Sequence, residues 1–330
     1  MDFHIECTPA PLTHKIHHRH ALMLMGSCFT ENIGNKLLAH QFNVLQNPNG
    51  ILFNPVSVQQ AIATYVKAIC ITEHDIFPLN EAWHSWHHHS RFSAITTADI
   101  IEKINSSTKA AHAYLRSADF LIITLGSAWV YELTEKAPGF SPGKVAANNH
   151  KAPADWFNRR LLDYSESMDI LKGIVETLQS FNPGLQIIFT ISPVRHLREG
   201  FVENNRSKAL LISAVHQMVA QYEQCHYFPA YELVVDDLRD YRFYAEDMVH
   251  PNYAATNYVW DKFVMACMDD STRLLMKEIN EVNAAMSHRP FHDQSAAHLA
   301  FKTKYLNICK TMQQKHPFLH LTEQINYFSA

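Results

Sequence analysis

Glycine is scarce in this chain, at 9 of 330 residues or about 3 %, where about 7 % is ordinary. Each glycine is therefore expected at a place where the backbone needs it. Apolar runs are short: none reaches the ~18–20 residues that cross a bilayer, so no transmembrane helix is expected. The first twenty residues are polar and histidine-rich, with no basic stretch leading into an apolar one, which argues against a secretory signal. Charge of one sign is also missing. Lys plus Arg is 28 and Asp plus Glu is 32, giving 28 − 32 = −4. A balance that small argues against a general nucleic-acid binder, which carries a basic face. The six cysteines, Cys7, Cys28, Cys70, Cys225, Cys267 and Cys309, form no CxxC pair and no clustered framework. Free thiols in a reducing compartment fit that scatter better than a disulfide scaffold, and the expected location is the cytoplasm.

Apolar residues make up 47 % and charged ones 18 %, enough for a sizeable core and too apolar for wholesale disorder. Residues 21–25 form an apolar run that ends at Gly26-Ser27, and a helix is expected over 30–40 with Thr30 as a candidate cap. Asn47-Pro48-Asn49-Gly50 reads as a loop, and Pro55 suits the first position of a second helix reaching about residue 69. Helices are further expected over 97–117, 165–181, 204–224 and 252–268, and strands over 119–126 and 186–193, with a short one within 227–235. Residues 83–91 show neither period and read as a loop, and residues 134–160 read as a long excursion. This alternation predicts an α/β fold with a mainly parallel sheet covered on both faces. Helices over 273–287 and 295–314, without further strands, predict a helical appendage. The expected division is an α/β domain over 1–270 and a C-terminal helical extension over 271–330 packed on it.

Ser27 follows an apolar strand and a glycine and opens a helix. A hydroxyl there rises from the carboxyl edge of the sheet, where open α/β folds bind ligands. Helix capping is the plainer reading of the same residue. Asp247 and His250 are three residues apart, a spacing that lets a carboxylate accept from imidazole Nδ1–H and leaves Nε2 to take a proton from a serine. A solvated loop pair is the plainer alternative. The order Ser, Asp, His supplies a nucleophile with the base that a weakly nucleophilic hydroxyl needs. Gly26, Gly50 and Gly126 fall at predicted strand ends and loops, and the Gly50 and Ser27 N–H groups are candidate oxyanion donors. Simple turn formation is the plainer account of all three.

Gly26-Ser27-Cys28-Phe29, followed by Thr30, resembles the signature of the GSCFA family, a bacterial group within the SGNH/GDSL hydrolase superfamily. Supporting stretches are 47–55, 83–92, 125–129, 191–194 and 241–252, so the resemblance covers about residues 20–260. It implies a three-layer α/β/α sandwich with a parallel sheet, and ester hydrolysis or acyl transfer through an acyl-serine. Carried over, Ser27 is the nucleophile, His250 the general base and acid, and Asp247 its orienting partner. Gly50 and Gly126 take the second- and third-block glycine positions. Two departures stand out. Gly26-Ser27 lacks the acid of Gly-Asp-Ser, and Gly126-Ser127-Ala128-Trp129 lacks the Asn whose side chain donates to the oxyanion. Asn49, Ser127 and His89 are the candidates for that third donor.

The histidine-rich stretch around His87-His88-His89 is expected to wall the pocket, with Trp83 and Trp86 offering flat apolar surface to a sugar ring or acyl chain. A metal site there is the less favoured reading, because adjacent histidines on an extended chain point different ways; no metal and no cofactor are expected. Arg195-His196 and Asp155-Trp156 are expected on the same edge. The expected activity is that of an SGNH-type serine esterase, with acylated carbohydrate as one candidate substrate. The alternatives are a non-catalytic binding module that kept the pocket, an acyltransferase using the same Ser-His-Asp site, and a metal-dependent hydrolase. The expected partner is a small-molecule or carbohydrate ester, not nucleic acid or membrane.

Overall fold

Strands and helices alternate along most of the chain. The computed structural model describes residues 4–139 and 142–329. In chain order the elements are β1 (Ala21–Gly26), α1 (Cys28–Ala39), β2 (Asn43–Gln46), α2 (Pro55–Lys67), β3 (Phe77–Leu79), β4 (Ala82–His84), α3 (Thr97–Ser117), β5 (Phe120–Leu125), β6 (Trp129–Leu133) and β7 (Val145–Ala146). They continue with β8 (Phe157–Leu161), α4 (Tyr164–Phe181), β9 (Gln186–Ile191), α5 (Phe201–Gln221), β10 (Cys225–Phe228), α6 (Ala230–Glu232), α7 (Tyr253–Cys267), α8 (Asp270–Met286), α9 (Ala296–Lys315) and α10 (Thr322–Ser329).

Five strands form one sheet in the order β10-β9-β5-β1-β2, every neighbouring pair parallel. Successive side chains on a strand face opposite ways, and both faces are apolar. Met23 and Met25 of β1 pack with residues of α2, α3, α4 and α5, among them Ile62, Leu115, Val175 and Val215. Leu22 and Leu24 pack with α1 and α7 through Leu37 and Phe263. The result is the expected three-layer α/β/α sandwich. Each fully buried side chain of this kind contributes roughly 1.5–3 kcal/mol. From β1 the chain winds outward to β2 on one side, whereas β5, β9 and β10 run outward on the other. The order of winding therefore reverses between β1 and β5, and the crevice beyond those two carboxyl ends is where such folds bind ligands.

Local chemistry explains the helix starts. The Asn54 side chain accepts from Ser57 N–H at 2.9 Å, with Pro55 in the first turn of α2. Thr30 is not a cap: α1 already begins at Cys28, and Thr30 lies inside it. Two segments expected to be irregular are ordered. The 83–91 stretch contains β4, paired antiparallel with β3, and 134–160 supplies β7 and β8 to an antiparallel sheet with β6, although Phe140 and Ser141 lie outside the described residues. Elements of two to five residues leave too little sequence for a period to show. The strand expected within 227–235 is confined to Cys225–Phe228, and the backbone is helical from Ala230 to Leu238.

Beyond α7, helices α8, α9 and α10 share a core of their own that includes Ile279, Val282, Cys309, Met312 and Phe328. Helix α10 is absent from the sequence expectations. Met276 of α8 joins the core beneath the sheet, and Asn283 Nδ2 donates to Ala39 O at 2.7 Å. No described helix is long and apolar enough to cross a membrane.

Candidate active site

The turn from β1 into α1 places Ser27 at the switch point. Gly26 has φ +135°, and a Cβ there would run into the backbone of Thr124 on β5, so only glycine fits. The Gly26 N–H donates to Asn47 Oδ1 at 2.9 Å, which ties this turn to the loop after β2. Ser27 occupies the N-cap position of α1, but its side chain makes no capping hydrogen bond. A serine there ordinarily accepts from the second or third helical N–H. The Ser27 hydroxyl is instead fully buried with no partner among the described residues, so the capping reading does not describe it.

Most of the expected oxyanion donors are committed within the protein. Ser27 N–H donates to Thr124 O at 3.1 Å and Gly50 N–H to Asn47 O at 2.7 Å. Gly126 N–H and Ser127 N–H both donate to Phe53 O, at 2.8 and 3.0 Å. Asn49 Oδ1 accepts from Tyr65 OH at 2.7 Å while its Nδ2 donates to His87 O at 3.2 Å. Ser127 Oγ accepts from Trp129 N–H at 3.0 Å and lies 3.3 Å from Ser207 Oγ. His89 N–H donates to Asn49 O at 2.9 Å, and its Nδ1 accepts from Arg91 N–H at 3.3 Å. These bonds fix the loops at the ends of β1, β2 and β5. Trp86 is fully buried, stacked on Phe77 at 3.8 Å with its indole N–H on Pro138 O at 2.9 Å, and offers no surface.

Asp247 and His250 are together. Asp247 Oδ2 accepts from His250 Nδ1 at 2.6 Å, and Oδ1 accepts from the backbone N–H groups of Val249 and His250 at 2.9 and 3.0 Å. The His250 backbone and side-chain hydrogen bonds, with help from Val249, hold the Asp247 carboxyl down at about 2. The pair sits in a hydrogen-bonded turn with Met248 at φ +58°, not on a helix. With Nδ1–H given to the carboxylate, Nε2 is the free acceptor. Both side chains are half exposed. Arg195 N–H donates to Val249 O at 3.2 Å, joining this turn to the segment after β9. No hydrogen bond links Ser27 Oγ to His250 in this structure.

Two groups that motif reading did not single out as site residues lie between these parts. His196 Nε2 is buried and has no hydrogen-bond partner among the described residues. It stands so close to Gly126 that a Cβ there would lie 3.1 Å from it, and its ring meets the edge of Phe53 with centroids 5.1 Å apart. Its backbone N–H donates to Asn204 Oδ1 at 2.9 Å. Burial first, then the nearby positive charges of Lys208 and His250, push its pKa down to about 3. Lys208 is wholly buried and donates to Gly126 O and Ser192 O, both at 2.6 Å, across the ends of β5 and β9. Burial pushes its pKa down to about 7. The only sequence signal for His196 is its position just past a strand end. A cavity of about 460 Å³ opens beside it, lined by Phe53, Ser127, Trp129, Tyr131 and Val249 among others.

Residues 21–263 match the profile of the GSCFA family, and residues 279–330 that of the GSCFA domain protein C-terminal domain. The chain belongs to the GSCFA family. In this GSCFA chain the first match takes in Ser27, Asp247 and His250. Among curated proteins, none matches. Similar solved structures include a Streptococcus pneumonia structure assigned provisionally as a platelet activating factor, with 11 % identity and TM-score 0.39 over 74 % of this chain and 82 % of that one. A carbohydrate esterase family 3 structure from Talaromyces cellulolyticus has 9 % identity and TM-score 0.35 over 79 % and 99 %. The acetyl xylan esterase Est2A from the rumen bacterium Butyrivibrio proteoclasticus has 11 % identity and TM-score 0.37 over 81 % and 65 %. Likenesses this distant carry nothing about the substrate of the GSCFA chain. Among its described residues, no three His, Cys, Asp or Glu side chains converge as a metal site would require.

Proposed function

We propose that this GSCFA chain is a serine hydrolase that cleaves acyl esters through an acyl-serine on Ser27. The observation that carries the reading is the Asp247–His250 pair, bonded at 2.6 Å and tied through Val249 to the strand end beside Gly126. In the first step Ser27 Oγ attacks the ester carbon, its proton passes to His250 Nε2, and the C=O electron pair moves onto oxygen. Collapse of that intermediate expels the alcohol, which takes the proton from His250. Water then attacks the acyl-serine, giving its proton to His250, which returns it to Ser27 as the acid leaves. Asp247 holds the ring in the tautomer that accepts at Nε2 and balances the charge the ring gains. The reading requires the buried Ser27 hydroxyl to meet His250 Nε2 once substrate is seated.

Acylated carbohydrate is the substrate class we favour, because aromatic Trp129 and Tyr131 and polar Asn148 and Asn149 line the cavity and suit the apolar face and hydroxyls of a sugar ring. A hydroxyl acceptor in place of water makes the same site a transferase. A non-catalytic binding module is the second reading, favoured by the buried, unpartnered Ser27 hydroxyl. Reaction with a fluorophosphonate separates them. A hydrolase carries the adduct on Ser27 and loses it in Ser27→Ala, whereas a binding module stays unlabelled.

A further inference from the structure

We infer that His196 supplies the side-chain hydrogen bond that stabilises the carbonyl oxygen as it becomes an oxyanion during attack by Ser27. The inference rests on the hydrolase reading above. It starts from a deficit: the loop after β5 has no Asn, the Ser127 hydroxyl accepts from Trp129 N–H and has Ser207 Oγ at 3.3 Å as a partner for its proton, and the N–H groups of Ser27, Gly50, Gly126 and Ser127 all end on backbone carbonyls. An oxyanion left in that crevice without a donor would be strongly disfavoured, because charge buried without hydrogen bonds is costly.

Among the described residues, His196 Nε2 is an unspent polar atom at this edge, as the Ser27 hydroxyl is. β1 and β5 leave the sheet side by side, with Gly26 paired to Thr124, so Ser27 and Gly126 emerge as neighbours. His196 Nε2 is packed on Gly126 and its ring on Phe53, and the residue is among those lining the cavity. The absence of a side chain at Gly126 is what admits the imidazole. Its placement is rigid: the Asn204 side chain holds the backbone, and Phe53 meets the ring edge-on. A donor that is already fixed needs no reorganisation when the charge develops.

The ring is suited to donate and not to act as a base. Burial first, and then the nearby Lys208 charge, keep it neutral, so it carries a single proton. An oxygen arriving at Nε2 favours the tautomer with that proton on Nε2. Among the described residues no carboxylate pairs with it, in contrast to His250. Lys208 contributes from below, since its ammonium on Gly126 O and Ser192 O fixes the two strand ends that frame the imidazole.

The test uses the rate of Ser27 labelling by a fluorophosphonate, whose P=O oxygen occupies the oxyanion position. In His196→Phe, which keeps a flat ring and removes the donor, labelling should slow by about 10²–10³. His196→Gln should recover much of that loss by restoring an N–H. The acid limb of the labelling rate against pH should stay where it is in wild type, because the base is still His250. Histidine nitrogen NMR on wild type needs no variant: the His196 Nε2 proton should move downfield once Ser27 is phosphonylated. Labelling of His196→Phe within about threefold of wild type, loss of the acid limb in that variant, or an unmoved His196 signal each overturns the inference. A wild type without an adduct on Ser27 removes the hydrolase reading itself, and the donor role with it.

Discussion

Histidines occupy two contrasting settings in this molecule. His250 sits in an open turn, half exposed and bonded to a carboxylate. His84, His88 and His150 sit inside the lobe built around β3, β4 and the chain leading from β7. There His84 Nδ1 lies 3.2 Å from His150 Nδ1 and 2.7 Å from Ser93 Oγ, His150 Nε2 donates to Ser85 O at 2.9 Å, and His88 Nδ1 lies 2.9 Å from Ser85 Oγ. None of those partners is a carboxylate. Burial pushes His88 down to about 3 and His150 to about 4. The same side chain faces a carboxylate and water in one setting, and in the other burial favours the neutral ring of His88 and His150 as a packing and hydrogen-bonding group.

The largest effect expected at the open site is loss of the nucleophile or base. Ser27→Ala or His250→Ala should lower turnover on an ester the wild type cleaves by on the order of 10⁴–10⁶, measured by steady-state kinetics. Asp247→Asn keeps the shape and favours the wrong tautomer, so a loss on the order of 10⁴ is expected. Substituting His150 should leave the labelling rate of Ser27 within a few-fold of wild type, because that ring serves the lobe and not the chemistry. Equal losses from His150→Gln and His250→Ala would erase the distinction between the two settings.

Acid should act on the interior group. Between about pH 6.5 and their depressed folded values the native histidines bind fewer protons than the unfolded chain. Stability therefore falls as pH drops through that window and levels off below about 4 for His150. The slope for each such histidine is roughly 1.4 kcal/mol per pH unit, and His150→Gln should flatten it in urea melts between pH 7 and pH 5. Asp247 works in another window. Its carboxyl is held at about 2, below the ordinary value, so what it contributes is present at higher pH and is lost only as pH falls toward 2. The smallest effect belongs to the cavity wall: Trp129→Ala should raise KM for a sugar ester about tenfold and change kcat little, the signature of uniform binding.

Much of the fold was legible because the long elements carry their pattern in sequence. β5 is apolar at every position but Thr124 and is buried on both faces, and α3 spans the residues its periodicity indicated. The antiparallel additions were hidden: β4 has three residues and β7 two, too few for any period. Trp86 was expected on the pocket wall because its stretch is rich in polar residues, yet it is held inside by a partner remote in sequence, Pro138 O, and by stacking on Phe77. The Asp247–His250 bond and the place of Ser27 between β1 and α1 were legible from spacing and neighbours. The place of His196 was not, since it packs on Gly126 and Phe53, some 70 and 140 positions away, and single-sequence patterns carry no such pairing.

The convergence of Ser27 with His250 is tested most directly by a crystal structure of the fluorophosphonate-treated chain. The account predicts phosphorus bonded to Ser27 Oγ and His250 Nε2 within about 2.6–3.2 Å of an adduct or serine oxygen, with the Asp247 bond retained. Phosphorus elsewhere, or a Ser27 adduct with His250 Nε2 out of hydrogen-bond reach of it, would contradict it.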